Sequence, residues 1–210
     1  MNMYPMRFPY FLRMAAPFAI FTQKKMPNTV YLTFDDGPTP DITEWVLKTL
    51  EKYDARATFF CLGRNLKKHP SIVKKIIAGS HRIANHSYFH VSPWKLSTKE
   101  FIKDVERTEE LINTYITSKK LFRPPYGRIT PMQFSKLKTL GYQVVFWTHM
   151  SGDFNPDIDI EDTIWYISKK TKSGDIIVFH DNQKAADNLK LILPEILYNL
   201  QLKGFEFGIL

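Results

Sequence analysis

Two imidazoles stand four residues apart in His86-Ser87-Tyr88-Phe89-His90. On a helical turn both would project to one side, a pairing that suits a divalent metal; imidazole favours zinc or a neighbouring transition metal. Upstream, Asp35-Asp36-Gly37-Pro38 closes an apolar run with two adjacent carboxylates. Adjacent strand residues face opposite ways, but a chain that bends at the strand end can bring both to one pocket. One carboxylate can then bind metal and the other act as a base. Two histidines and one carboxylate leave a coordination position open for water, as in a catalytic site. Such a metal lowers the pKa of its water to roughly 7 and polarises a carbonyl. Arg123 precedes Pro124-Pro125-Tyr126-Gly127, a turn stiffened by its prolines, and can orient a carboxylate through a bidentate bond. His180 ends the apolar run Ile176-Ile177-Val178-Phe179 and can serve as a general acid, with Asp153 keeping it protonated and oriented. Metal water, carboxylate base and histidine acid together suit attack on an amide carbonyl and protonation of the leaving amine.

Each of these signals has a plainer reading. Asp-Asp-Gly-Pro is also an ordinary turn, Arg123 can be a structural ion pair, and His180 can be a satisfied core residue. With six histidines in the chain, one accidental pair is unremarkable. The elements that must carry these residues decide between the readings. Residues 29–34 read as a strand. Asp41 and Glu44 form a capping box ahead of Ile42, Trp45, Val46, Leu50 and Tyr53 at helical spacing. A strand is expected at 57–61 and a helix at 70–78. Ser97 and Glu100 cap a long helix whose apolar face is Phe101, Val105, Leu111 and Ile112. Strands are expected at 121–123, 142–147, 175–179 and 205–207, and helices at 131–140, 160–172 and 185–203. This alternation implies parallel βαβ units, which a closed barrel and an open doubly wound sheet both satisfy. Either architecture places chemistry at the carboxyl ends of the strands. Asp35-Asp36, His86 and His90, Arg123 and Tyr126, Asp153, and His180 all follow strands or short apolar runs. Chance delivers one or two such segments more readily than five.

The bulk numbers narrow the field. The chain has 210 residues, 44% of them hydrophobic and 24% charged, so a full core is available and disorder is excluded. A net charge of +8 suits an anionic partner, yet no long Lys/Arg block or nucleic-acid motif is present, and nucleic-acid binding is not expected. The one cysteine, Cys61, reads as a buried thiol. No Walker-type phosphate loop or Gly-x-Ser-x-Gly elbow occurs. Residues 8–21 are apolar but interrupted by Pro9, Arg13 and Pro17, which fits neither a membrane span nor a good signal peptide. Residues 1–28 are expected to be a lead-in packed on one catalytic domain, residues 29–210. No clear membrane anchor is expected, and a monomer is; location stays open between the cytoplasm and the cell envelope.

Taken in order, the segments from Thr33-Phe34-Asp35-Asp36-Gly37-Pro38 through His86-Ser87-Tyr88-Phe89-His90 and Arg123-Pro124-Pro125-Tyr126 to Val178-Phe179-His180 resemble the polysaccharide deacetylase family. This is carbohydrate esterase family 4, which shares the NodB homology domain. The resemblance implies an α/β fold, a deformed (β/α) barrel of parallel strands. It implies an N-acetylated glycan as substrate, peptidoglycan or chitin-like, and a divalent metal: zinc first, with cobalt, nickel or manganese as alternatives. Asp36, His86 and His90 would be ligands, Asp35 the base, Arg123 its partner, the Tyr126 amide an oxyanion donor and His180 the acid tuned by Asp153. One motif departs: where the family has Asp, two residues, then Asp-Trp, this chain has Met150, Asp153 and Phe154. Tyr88, Trp94, Tyr126, Trp147 and Phe154 are candidates to stack on sugar rings. His149 is unexplained, with a structural or surface role favoured. The competing expectations are a metal-dependent amidase acting on a small cyclic imide or ureide, and a carbohydrate-binding protein with a weakened site.

Overall fold

A computed structural model describes residues 18–24 and 26–210. Seven strands form a parallel path in the order β5-β4-β3-β2-β1-β7-β6, and an eighth pairs with the start of β1. They are β1 (Thr29–Asp35), β2 (Ala57–Cys61), β3 (Arg82–Asn85), β4 (Leu121–Phe122), β5 (Gln143–Val144), β6 (His149–Met150), β7 (Ile176–His180) and β8 (Glu206–Phe207). The helices are α1 (Ile42–Lys52), α2 (Gly63–Lys68), α3 (Pro70–Ala78), α4 (Thr98–Asn113), α5 (Pro131–Thr139), α6 (Ile160–Lys170) and α7 (Ala186–Leu202). The sheet curls as a deformed (β/α) barrel does.

Both capping boxes form. The Asp41 side chain meets the third residue of α1 and Glu44 reaches back, and Ser97 and Glu100 do the same for α4. Each satisfies amide donors that a helix start otherwise leaves bare. β1 is buried along its whole length, as a central parallel strand must be. Its alternation sorts residues between two cores: Val30, Leu32 and Phe34 pack under the helices, while Tyr31 joins the cluster inside the curl with Phe60, Phe122 and Val178. On that inner side Thr33 and then Asp35 follow. β7 alternates in phase, and Asp35 stands in register with His180.

The expected strand over 142–147 is two structures. Gln143–Val144 pairs with β4, and the chain then crosses the opening of the curl before His149–Met150 pairs with β7. The break has a tertiary cause. Val145 bridges to Ile20 and the Phe146 amide donates to the Ile20 carbonyl, so residues 18–24 take the place beside it that another strand would hold. Phe21 is buried there, stacked on Phe146 at 5.1 Å. Of the expected lead-in, residues 1–17 and 25 lie outside the described residues. No helix among the described residues is long and apolar enough to cross a membrane.

Candidate active site

The carboxyl ends of β1, β3, β4 and β7, and the turn after β6, converge. Asp35 is the last residue of β1, and Asp36 follows it at φ +81°. That left-handed backbone lets the second carboxylate reach the same pocket as the first, where a continuing strand would have turned it away. His86 and His90 do not sit on a helical turn. They occupy an irregular loop after β3 in which Ser87 (φ +69°) and His90 (φ +61°) are both left-handed. With Tyr126 at φ +59°, four strained non-glycine residues gather at one place.

Asp36 Oδ1 lies 3.2 Å from His90 Nε2 and 3.6 Å from His86 Nε2. It is buried without a hydrogen-bond partner among the described residues, whereas Oδ2 accepts from Asn182 at 2.6 Å. His86 Nδ1 lies 2.8 Å from the Arg123 carbonyl. A carbonyl only accepts, so Nδ1 donates to it, and Nε2 is the nitrogen turned toward Asp36. Burial, reinforced by His86, pushes His90 down to about 4, so His90 is neutral at pH 7. Burial works to raise the pKa of Asp36, but His86, His180 and His90, with the Asn182 bond, hold it below its ordinary value. Two imidazole nitrogens and a carboxylate oxygen therefore converge, all within 4.8 Å of one another. An orphaned buried anion of this kind is costly alone and fits a divalent cation.

Asp35 is held differently. Arg123 Nη1 donates to its Oδ1 at 2.7 Å and also to Thr33 Oγ1 at 2.8 Å; Nη2 donates to the Phe146 carbonyl and Nε to that of Val145. Arg123 is fully buried, its guanidinium 4.1 Å from the Phe60 ring centroid. These bonds make the buried charge tolerable. Asp35 Oδ2 points toward His86 Nε2, 3.9 Å away.

On the far side, His180 Nδ1 and its backbone amide each contact Asp153, at 2.7 Å to Oδ1 and Oδ2 respectively. Burial disfavours the charged ring, but the Asp153 charge and hydrogen bond outweigh it, and His180 is pushed up to about 9. The imidazole is thus protonated at neutral pH, with Nδ1 donating to Asp153.

In sequence and in fold the chain is similar to known proteins. A polysaccharide deacetylase family model matches residues 22–145. The chain belongs to the polysaccharide deacetylase family. A peptidoglycan-N-acetylglucosamine deacetylase of Bacillus cereus is 32% identical over 187 residues, covering 87% of this chain and 88% of the relative. A crystal structure of a peptidoglycan N-acetylglucosamine deacetylase superposes with a TM-score of 0.83 at 29% identity, over 97% of this chain and 95% of that one. The fold alone is shared, at 22% identity and a TM-score of 0.80 over 93% of this chain and 68% of the other, with a pseudoenzyme from Bacillus anthracis. This deacetylase is a hydrolase of a metal-dependent family that removes acetyl groups from N-acetylated glycan.

Three residues of the deacetylase site escape a motif reading. Asp181 and Asn182 follow His180, and together they clamp the first motif. The Asp181 amide donates to the Asp35 carbonyl at 3.2 Å, its carboxylate accepts from the Gly37 amide at 3.0 Å and from Thr43 Oγ1 at 2.5 Å, and Asn182 holds Asp36. A Cβ on Gly37 would run into the Asp181 carboxylate, which is why glycine stands there. Burial raises Asp181 to about 7. Asn65, after β2, donates to the Asp36 carbonyl at 2.8 Å. Asp181 and Asn182 follow a strand end, but their residue types alone do not set them apart, and Asn65 lies inside α2.

The aromatic candidates divide. Tyr88 and Trp147 are buried, the latter under Gly127, where a Cβ would come within 2.6 Å of the indole; both are packing residues. Tyr126 and Trp94 are exposed, and the Tyr126 ring lies 4.6 Å from that of His90. Phe154, in place of the family's tryptophan, sets its ring edge-on to His180 at 5.0 Å. His149 is structural: fully buried, its Nε2 lies 3.0 Å from Asp175 Oδ2. Cys61 is a buried free thiol.

Proposed function

We propose that the deacetylase acts on peptidoglycan, with Asp36, His86 and His90 holding a divalent metal, zinc by the nature of the donor set. The observation that carries the reading is the buried Asp36 Oδ1, without a hydrogen-bond partner among the described residues, facing the Nε2 atoms of two imidazoles at 3.6 and 3.2 Å. When bound, the metal supplies Lewis acidity to a water and to the acetyl carbonyl. Asp35 Oδ2, the oxygen Arg123 leaves open, takes the proton from the attacking water. Arg123 keeps Oδ1 occupied and fixes the orientation of the carboxylate. The Tyr126 amide, turned by its left-handed backbone, donates to the oxyanion. The imidazolium of His180 then gives its proton to the sugar nitrogen, releasing acetate and an amine, with Asp153 stabilising the ring throughout. The exposed Tyr126 and Trp94 leave the rim open, as a polymer requires, which speaks against a small closed-pocket amidase. The relatives act on peptidoglycan, and the +8 charge favours that anionic polymer over a neutral one.

The test is acetate release from peptidoglycan and from N-acetylglucosamine oligomers by metal-reconstituted enzyme and by Asp35→Asn. Metal-dependent release that the substitution abolishes, with metal content unchanged, is the expected result. No release from any N-acetylated glycan with metal bound overturns the reading.

A further inference from the structure

Both flanks of the site carry a cation against an aromatic ring. On one, Phe154 touches His180 and Lys184 Nζ lies 5.7 Å from the Phe154 centroid. The other is more developed. From His90 outward come Tyr126, then Arg128, whose guanidinium carbon is 5.9 Å from the Tyr126 centroid and 4.7 Å from the Trp94 centroid. Trp94 and Tyr126 are 62% and 61% exposed, large values for rings of this size. They sit on separate short turns, Pro93–Lys95 and Pro125–Gly127, and Arg128 spans the two.

Arg128 is exposed, and its side chain pairs with no carboxylate among the described residues; its partners are the two rings. A guanidinium against a ring face is steadied by the ring's quadrupole while its N–H donors stay available at its edge. Those donors match a carboxylate in a planar, two-bond geometry that an ammonium cannot reproduce. The flat apolar rings beside it suit the C–H face of a pyranose. One patch adjoining His90 therefore offers both a sugar platform and an anion fork.

We infer that Trp94, Tyr126 and Arg128 form a subsite for a carboxylate-bearing sugar next to the acetamido sugar being deacetylated. The rings take the pyranose and Arg128 takes the acid. This rests on the glycan deacetylase reading and extends it: the enzyme recognises the acidic sugar of the strand, not only the N-acetyl group. A neutral N-acetylglucosamine oligomer can use the rings but offers nothing to Arg128.

The experiment uses glycan strands of peptidoglycan freed of stem peptides, so that the only carboxylates are those of the sugars. The same strands with carboxylates converted to amides, and strands retaining their peptides, are compared with them. Wild type should prefer the free carboxylate over the amide, and Arg128→Gln should reduce that preference about three- to tenfold, through KM rather than kcat. Trp94→Ala should weaken both polymers alike. Peptide-bearing strands that lose rate with Arg128→Gln while peptide-free strands do not would place the recognised acid on the peptide and overturn the sugar assignment. Equal loss on acid and amide strands, or no wild-type preference, overturns the subsite. Binding of the peptide-free strands by calorimetry, acid against amide, separates the same outcomes without turnover. The subsite is thereby judged even if wild type releases no acetate, the outcome that would sink the deacetylase reading alone.

Discussion

β6 and β7 are clasped at both ends by a histidine–aspartate pair, and the two pairs do different things. At the amino end of β7, Asp175 Oδ2 lies 3.0 Å from His149 Nε2; at the carboxyl end, Asp153 Oδ1 lies 2.7 Å from His180 Nδ1. The amino end is closed. His149 is fully buried, its Nδ1 has no hydrogen-bond partner among the described residues, and the Tyr166 ring lies edge-on to it at 6.0 Å. Residues 18–24 run past on that side, with Gln23 donating to the Gly174 carbonyl. The carboxyl end is open: His180 stands beside Asp35 in register and feels the charges of Asp36 and Asp35 across the pocket. The same two side chains are thus structural at one end of a parallel sheet and available for chemistry at the other.

Substitution can break this contrast. His180→Asn should lower kcat by about 10²- to 10⁴-fold, the usual worth of a positioned acid, with metal content unchanged and a loss of stability too small to account for that fall. Retained turnover would reduce the carboxyl-end clasp to a structural one. Arg123→Ala extends the contrast to the other buried ion pair. Removing the guanidinium strands the Asp35 carboxylate and should cost about 3–5 kcal/mol of stability along with activity, read by urea denaturation. His149→Ala should differ from His180→Asn in leaving turnover alone. It leaves Asp175 without its imidazole and should cost about 1–3 kcal/mol, while kcat per folded molecule stays close to wild type. A large fall in kcat there would erase the distinction between the two ends.

The mildest probe is pH. His180, held at about 9, lies above the ordinary histidine value near 6.5. A raised folded pKa means the pair's contribution to stability is complete below the unfolded value and is lost as pH rises through about 9. The rate should fall over the same window, because the proton donor is lost, and His180→Asn should abolish that alkaline limb. A limb that persists in the variant would assign it to another group.

Motif reading finds the site wherever chemistry coincides with a strand end. Asp35, Asp36, His86, His90, Arg123, Asp153 and His180 are legible because residue type and place in the βα alternation agree. Asp181, Asn182 and Asn65 are not, because a buried aspartate or an asparagine carries no signature of its own; only the clamp on Asp36 and Gly37 reveals them. Residues 142–147 read as one strand because their apolar run has no punctuation, and a partner far back along the chain, Ile20, breaks it.

By itself the sequence determined the parallel alternation, the capped helices and the order of the motifs, because these follow from local periodicity and side-chain chemistry. Tertiary structure decided what the residues are for. Backbone bent into left-handed conformations at Asp36, Ser87, His90 and Tyr126 set the geometry of the cluster, and the choice of sheet end separated His180 from His149. Those outcomes depend on which distant groups close around a side chain, and burial and charge at a point are properties of the packed molecule.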